Sequence, residues 1–369
     1  MELGPTFPTL TIPAFLARET AAHGTEIILR KKDRGIWNAL DWSTLNTRVS
    51  EIGQGLLAAG LTTGMVVAIV SETRPELVFA DLAVLGCGGV SLAIHPETEA
   101  AEVADLLRRS NTAVVVVEGE EQLDKVLGFR AECPMLQLVI IIDVKGLRDF
   151  HDPQCMSLAD LIVSGTGQSD WNATAASVQP GQAAVILTGA DGGLYQLTHA
   201  DILRQVEEAG QSLAVRPGDE RLAVLPMSDP TERILGLYLS LKYRIVSNYL
   251  ENPETATENL REVKPTVFGA DAEAWERLHA RTTAQAGAAT MVQKAFYHWA
   301  VTAGAAGGLM AWLANLLVLP AVRSQLGFGQ LRVAYIGDRA VPAETDRWAR
   351  ALGITVRLIN PFKTGGTHV

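Results

Sequence analysis

Short apolar runs alternate with helical patterns along the first half of the chain. Four runs rich in Val, Ile and Leu are predicted to be buried strands: residues 65–70, 90–94, 113–117 and 136–142. Helical patterns follow the first three of these runs, and Pro75 opens the first helix. This order is typical of crossover connections on a parallel sheet, so the pattern predicts an α/β fold. An α+β meander is the alternative.

The second half repeats this alternation after a polar stretch. Residues 164–181 are rich in Gly, Ser and Thr and are predicted to be a linker or surface loop. The strands predicted beyond it are 183–187, 221–225, 245–249, 266–268, 331–336 and 354–359, and the helices are 200–214, 231–241 and 342–352. The chain is therefore predicted to contain two α/β subdomains, 1–170 and 171–369.

A segment without charged residues interrupts the second subdomain. Residues 295–322 contain no Asp, Glu, Lys or Arg, and about 20 apolar residues suffice to cross a bilayer. Gly304, Gly307, Gly308 and Pro320 favour instead a pair of helices with a break between them. Such helices are expected to be buried in the fold or to lie against a protein partner or a membrane surface, with a true span or plain core helices as alternatives. The predicted contact residues are Leu309, Trp312, Leu316 and Leu317.

Composition narrows the class of protein. The 369 residues are 48% apolar and 20% charged, which is typical of a globular chain with a large core. The formal net charge of −10 disfavours nucleic acid as a partner, because a polyanion requires a basic surface. Cys87, Cys133 and Cys155 lack the spacing of a disulfide framework or a zinc site, and the N-terminus lacks a secretory signal. The protein is therefore expected in the cytoplasm.

One Gly-rich loop has a composition suited to phosphate. The predicted strand 183–187 runs into residues 188–193 and then into a helix, an arrangement in which backbone amides converge on an anion. A tight turn without chemical consequence fits the same residues. The loop alone does not decide between these interpretations.

Short motifs around this loop occur in a characteristic order. They are DRGIW at 33–37, SETRPE at 71–76, LTH at 197–199, PMSDPTER at 226–233, EVKPTVF at 262–268 and LRVAYIG at 331–337. In this order they resemble the AMP-forming acyl-CoA synthetases of the long-chain fatty acid type, within the adenylate-forming superfamily. The resemblance implies an N-terminal domain built from two stacked α/β subdomains with doubly wound, mostly parallel sheets.

The resemblance also implies a chemistry, in which ATP with magnesium activates a carboxylate as an acyl-adenylate that then passes to a thiol. Four positions correspond to the family's phosphate loop, approximately TSGTTGxPKG: Thr188, Gly189, Gly192 and Gly193. Residues 194–196 stand where the family has Pro-Lys-Gly, so the cation is lost. Asp191 adds a negative charge that would repel a triphosphate.

Other positions that contact the nucleotide in the family also depart from the family's motifs in this sequence. Asp229 replaces the histidine of PLAHxFER, and Gly337 keeps only the start of the Gly-Gly-Ala segment. In the segment resembling YGLTET, the stacking Tyr is Asn360 and the magnesium-binding Glu is Thr364. The remnant nucleotide site is thus predicted to include Gly337, Asn360 and Thr364. The sequence ends before the family's C-terminal lid domain, which carries the adenylation lysine, so that domain is expected to be absent.

These departures predict a pseudoenzyme, a catalytically degenerate relative with a binding or structural role at a membrane or in a complex. No catalytic residue, cofactor or metal is expected. The segment 295–322 is expected to contact a protein partner or a membrane surface, which places the protein peripherally at the inner face of a membrane. A fatty-acyl ligand is compatible with the fold, although no residue identifies it. The alternative is an active or trans-completed ligase that forms an acyl-adenylate from ATP, with magnesium, and a fatty acid.

Several chemically suggestive side chains have plainer explanations. His199 is expected to begin a helix or to lie in the core, rather than to act as a base. Glu232 beside Arg233 is expected to form a salt bridge on a helix face or loop, rather than to serve as a catalytic carboxylate. Trp299 and Trp312 are expected to pack or to anchor an interface, rather than to form a ligand cage.

Overall fold

The computed structural model describes residues 10–189, 191–288, 290–337 and 339–360, together with the backbone of residues 367–368. The strands are β1 Ile27–Asp33, β2 Ile36–Asp41, β3 Val66–Val70, β4 Val90–Ile94, β5 Thr112–Val117, β6 Leu138–Ile141, β7 Cys155–Ser157, β8 Ala183–Thr188, β9 Leu194–Thr198, β10 Glu220–Ala223, β11 Val246–Tyr249, β12 Val267–Gly269, β13 Val333–Ile336, β14 Val356–Leu358 and β15 Thr367–His368.

Helices connect most of these strands. They are α1 Ile12–His23, α2 Trp42–Ala58, α3 Pro75–Gly86, α4 Ala100–Arg109, α5 Glu120–Phe129, α6 Leu158–Gly165, α7 Trp171–Ser177, α8 His199–Leu213, α9 Leu239–Tyr243, α10 Ala256–Val263, α11 Ala272–Ala288, α12 Met291–Ala306, α13 Gly308–Leu317, α14 Leu319–Leu326 and α15 Ala343–Ala351. A π-helix, Thr231–Tyr238, leads directly into α9.

The strands form mostly parallel sheets. The largest has the order β15-β9-β8-β4-β3-β5-β6-β7, and it is parallel except where β9 pairs with β8 and β15. A second sheet has the order β10-β11-β1-β2, and a third the order β12-β13-β14. The amide of Thr266, just before β12, donates to the carbonyl of Glu220 in β10 at 2.9 Å, which joins these two sheets edge to edge. The predicted α/β fold is confirmed.

Helices cover both faces of the largest sheet. Every residue of β3 is buried. Val67 and Ile69 pack with α2 and α3 in one apolar cluster, whereas Ala68 and Val70 pack with α4 and α5 in another. Because alternate side chains of a strand point to opposite faces, a strand covered on both sides requires the continuous apolar run that the sequence shows. The sheet is therefore doubly wound.

The sheets mix both halves of the chain. Strand β8, at residues 183–188, pairs with β4, and β1, at residues 27–33, pairs with β11. The sheets thus cross the predicted boundary at residue 170. The division into subdomains 1–170 and 171–369 remains a prediction about folding units.

Two local predictions are wrong. The polar stretch 164–181 is not a plain loop, because it contains the end of α6 and all of α7. The side chain of Trp171, at the start of α7, lies against Gly53 of α2 and Gly86 of α3, and a Cβ at either glycine would come within 2.0 Å of its ring. The segment after the Gly-rich loop is strand β9 before it becomes a helix, so the loop closes a β-hairpin.

The uncharged segment forms helices separated by breaks, as predicted. Gly307, with φ of 78°, ends α12 and begins α13, and α14 follows almost at once. No single helix among the described residues is long and apolar enough to cross a bilayer. Together α13 and α14 reach that length and composition, but they are bent by 53° relative to each other.

Candidate functional site

The Gly-rich loop is a hairpin turn closed by its own hydrogen bonds. The amide of Gly189 donates to the carbonyl of Gly193 and that of Gly192 to the carbonyl of Gly189, both at 2.9 Å. The amide of Gly193 donates to Oδ1 of Asp191 at 2.9 Å, and the Tyr195 hydroxyl donates to Oδ2 of the same carboxylate at 2.6 Å. Three amides are therefore used inside the turn, and a carboxylate occupies a position where a phosphate cradle would place an anion.

Gly337 packs against the start of the π-helix. It follows β13, and a Cβ at this position would come within 1.9 Å of the Thr231 hydroxyl oxygen. The amide of Ile359 donates to the carbonyl of Ile336 at 2.8 Å, which places the exposed Asn360 beside Gly337 at the same edge of the sheet. The structure thus places Thr231 against Gly337, while Asn360 follows the end of the adjacent strand. Thr364 lies outside the described residues, and the assignment of these positions to a remnant nucleotide site remains a prediction.

Two carboxylates add negative charge beside this edge. Asp229, which replaces the family's histidine, accepts from the amide of Thr231 at 2.6 Å. Burial raises the pKa of Asp229 despite this bond, and the charge of Asp271 raises it further. Asp271 lies before α11 and accepts from the amide of Ala274 at 2.6 Å. The strand edge that would face a nucleotide therefore carries two acidic groups that interact unfavourably.

A charged cleft of about 460 Å³ lies where the carboxyl ends of the first two sheets meet. Its cations are already neutralised. Lys31 and Arg74 both bind Glu76, at 3.1 and 2.9 Å, and Lys32 binds Glu262 at 2.5 Å. Arg74 also holds Glu118 at 2.9 Å. The basic groups of this cleft are therefore committed to carboxylates of the protein.

ATP and magnesium, which the family resemblance implies, do not fit these side chains. The turn presents a carboxylate and internally bonded amides, and the cleft's lysines and arginine are paired. Among the described residues, no three Asp, Glu, His or Cys side chains are grouped as a metal site would require, and Cys87, Cys133 and Cys155 are free thiols.

Glu232 and Arg233 do not form the helix-face or loop salt bridge that the sequence predicts. Both are buried in the π-helix, and they point to different partners. Glu232 binds Arg221 of β10 at 2.5 Å. Arg233 binds Asp81 of α3 and donates to the Ser91 hydroxyl of β4 at 2.7 Å. The adjacent pair therefore joins the π-helix to two different sheets, and its role is structural.

Sequence reasoning missed the partners of these ions. Asp81 is the one acidic residue in the otherwise apolar interior of α3, and it also accepts from the Tyr238 hydroxyl at 2.7 Å. A charged residue inside a buried helix indicates a buried ion pair, because an unpaired charge is costly in the protein interior. That signal identifies Asp81, although it does not identify Arg233, 152 positions away, as the partner.

His199 is a core residue at the first position of α8, as expected. Its Nδ1 accepts from the amide of Ile12, the first residue of α1, at 3.4 Å, so the ring is neutral. Burial lowers the pKa of His199 from 6.5 to about 4. The N-terminal end of a helix also disfavours a positive charge. His199 therefore joins α1 to α8, and no nucleophile is recorded beside it within the described residues.

Replacing His199 with Gln is expected to make the protein less sensitive to acid. Between pH 6.5 and 4 the unfolded chain binds a proton that the folded chain does not, so stability falls as the pH is lowered through this range. A shift of this size corresponds to about 3 kcal/mol. Urea unfolding at pH 7 and pH 4.5 should show a smaller loss for His199→Gln than for the unaltered protein. His151→Gln, at an exposed position, is the control, and equal losses in all three proteins would contradict the assignment.

The predicted contact residues lie on one exposed helix. We call Leu309, Trp312, Leu316 and Leu317 the α13 face; their exposed fractions are 71%, 59%, 60% and 65%. Only Ala314 of α13 is buried. Phe296 of α12 is also exposed, and it shares with Leu317 a groove of about 970 Å³. The helix therefore exposes a large apolar area that the described residues leave uncovered.

The chain matches a known family model over most of its length. The model described as AMP-binding enzyme matches residues 16–362. A long-chain-fatty-acid–CoA ligase of Xenopus laevis is 22% identical over 388 residues, which cover 98% of this chain and 52% of that protein. A protein of Mycobacterium tuberculosis assigned as a fatty-acid–CoA ligase is 30% identical over 231 residues, which cover 57% of this chain and 40% of that protein. The chain spans about half the length of the curated relatives it matches.

Solved structures show the same fold. The adenylation domain of a carboxylate reductase from Mycobacterium chelonae superimposes with a TM-score of 0.75 at 17% identity, covering 94% of this chain and 57% of that one. A structure assigned as a long-chain-fatty-acid CoA ligase of Rhodopseudomonas palustris superimposes with a TM-score of 0.65 at 18% identity, covering 95% of this chain and 75% of that one. The α/β architecture is therefore that of the N-terminal domains of adenylate-forming enzymes.

Proposed function

Because this chain belongs to the AMP-binding enzyme family, we propose that it is a catalytically degenerate acyl-CoA ligase-like protein whose present role is binding rather than catalysis. The observation that carries the proposal is the closed hairpin turn at residues 188–193. Its glycine amides donate inside the turn, and Asp191 lies within it. A triphosphate would have to break these bonds and displace a like charge.

Two other charged regions of the protein support the same conclusion. Phosphoryl chemistry depends on cations and metal ligands positioned for the charge of ATP. Lys31, Lys32 and Arg74 of the charged cleft are paired with carboxylates, and Asp229 and Asp271 make the strand edge beside Gly337 more acidic. On this proposal the protein uses neither ATP nor magnesium, and none of the described residues acts as a catalytic group.

The α13 face suits the binding role. It is apolar and exposed, and no described element packs over it. A contact at this face would bind a protein partner, or would hold this protein at a membrane surface. Neither contact would involve the degenerate nucleotide site. The protein acts in the cytoplasm, peripherally at the inner face of a membrane or within a complex, and an acyl chain is a further candidate ligand.

Titration with ATP and magnesium is expected to produce no binding heat, and incubation with ATP, magnesium and a long-chain fatty acid is expected to release no pyrophosphate. An active acyl-CoA ligase in the same buffer provides the positive control. Asp191→Asn, which removes the charge from the turn but keeps its size, tests whether charge alone prevents binding. Binding heat and steady pyrophosphate release from the unaltered protein would support the alternative, an active ligase. The same signals only after addition of a separate C-terminal domain would support the trans-completed form.

A further inference from the structure

We infer that the α13 face docks on a membrane surface rich in anionic lipid headgroups. This inference rests on the binding role proposed above and names the partner of that face. Two independent features carry it: the shape and exposure of the apolar surface, and the distribution of charge around it.

The apolar surface has the form of a helix lying in an interface. Leu309, Trp312 and Leu316 are spaced three and four residues apart, so they share one side of α13. Helices α12 and α13 fold back on each other through the break at Gly307, which brings Phe296 close to Leu317. The result is a helical hairpin whose outward side carries aromatic and aliphatic groups. Aromatic residues and leucines on one side of a helix are typical of insertion at the boundary between headgroups and acyl chains.

The sequence segment that contains this surface is positive in a protein that is negative as a whole. Between Glu276 and Asp338 the sequence has no Asp or Glu and five cations: Arg277, Arg281, Lys294, Arg323 and Arg332. The formal net charge of the whole chain is −10, so its negative charge lies outside this segment. Arg277, Arg281 and Arg332 are paired with the carboxylates of Glu273, Glu258 and Asp219, so Lys294 and Arg323 supply the positive charge of this segment that an anionic surface would attract.

Three cations beside the hairpin have no recorded carboxylate partner within the described residues. Lys294 is exposed on α12, close to Phe296 in sequence. Arg323 of α14 donates to Oδ1 of Asn315, on α13, at 3.0 Å and to the Leu352 carbonyl at 2.9 Å. Arg261 lines the groove and donates to the Gln325 carbonyl at 2.6 Å. By contrast, the lysines and arginine of the charged cleft are all bound to glutamates.

These features together favour lipid over a second copy of the chain. A second copy would place the same cations against each other, which costs energy unless anions intervene. An anionic bilayer instead satisfies both parts of the surface, since its headgroups neutralise the cations and its acyl chains accept the apolar side chains.

Co-sedimentation of the purified full chain with vesicles tests this inference. Vesicles of phosphatidylcholine with phosphatidylglycerol are expected to bind the protein, and vesicles of phosphatidylcholine alone are expected to bind it weakly. High salt is expected to weaken binding.

Trp312→Ser combined with Leu316→Ser is expected to lower the partition coefficient by about tenfold or more. Lys294→Glu, at an exposed position, is expected to lower it by about tenfold. Val163→Ser, an equally exposed apolar position on α6, is the matched control and should bind normally.

A spectroscopic measurement locates the contact. Brominated phospholipids quench tryptophan fluorescence on contact, and Trp312→Phe is expected to remove most of that quenching while binding persists. Failure to bind anionic vesicles at low salt, or binding unaffected by the combined Trp312→Ser and Leu316→Ser substitutions, would overturn the inference. So would a stable dimer in solution that the same substitutions dissociate. No nucleotide is present in these assays, so their failure is distinct from a positive result in the ATP titration.

Discussion

Replacing Asp81 with Ala is expected to lower the free energy of unfolding by about 3–5 kcal/mol. Asp81 and Arg233 are 0% and 1% exposed, so the substitution would leave a buried guanidinium whose remaining side-chain acceptor is the Ser91 hydroxyl. The Tyr238 hydroxyl would lose its acceptor as well. Because these groups connect the π-helix to α3 and β4, the loss should loosen the packing between the two halves of the chain. Equilibrium unfolding in urea measures the change.

Two further variants show whether the unpaired charge is the cause. Arg233→Met combined with Asp81→Leu removes both charges and is expected to recover most of the lost stability, since apolar residues can replace a buried ion pair. Glu51→Ala breaks the exposed pair with Arg48 and should cost less than about 1 kcal/mol. If Asp81→Ala costs no more than Glu51→Ala, the buried pair is not a structural connection.

Replacing Trp171 with Ala is also expected to cost about 3–5 kcal/mol, because it removes a large ring from a well-packed core. The indole of Trp171 lies between α2 and α3 at Gly53 and Gly86, where only a hydrogen leaves enough room. The cavity left behind would be bordered by helix backbone, which cannot move easily to fill it. Urea unfolding measures this loss in the free energy of unfolding. The slope of that free energy against urea concentration is expected to stay the same.

The glycines provide an internal test of this contact. A Cβ at Gly86 would come within 2.0 Å of the ring, so Gly86→Ala should destabilise the unaltered protein. The same substitution should cost much less in the Trp171→Ala background, where the methyl group fills part of the cavity. Trp312→Ala serves as the matched control, since that tryptophan is exposed and should affect stability little. Simple additivity of the Gly86 and Trp171 effects would show that the two positions do not share a contact.

Elements with a strong local signal could be predicted. Strands β3, β4 and β5 are buried along their whole length, and a strand covered on both faces produces a continuous apolar run. Helix α8 begins at a capping box formed by Thr198 and Asp201, so its start lies within one residue of the prediction. Strand β9 was not predicted, because a short strand in a hairpin has too few alternating apolar and polar residues to be distinguished from a loop.

Helix α7 could not be predicted from its own composition. The stretch around it is polar and rich in small residues, which favours a loop. Trp171 is the one buried side chain of this helix, and its site is made by glycines that are distant in sequence. The same difficulty applies to Glu232 and Arg233. Because they are adjacent in sequence, one salt bridge was predicted, whereas in the fold each forms an ion pair with a residue of another element.

The sequence by itself determined the α/β class, the family and the uncharged segment, and it predicts the loss of the family's lysine and magnesium carboxylate, because each depends on residue types in a linear order. Only the tertiary structure decided that the Gly-rich loop closes on Asp191, that Arg233 meets Asp81, and that the α13 face is exposed. Hydrogen bonds, ion pairs and burial depend on distances between residues far apart in the chain. A sequence pattern predicts which faces are apolar, whereas packing decides which of them are covered.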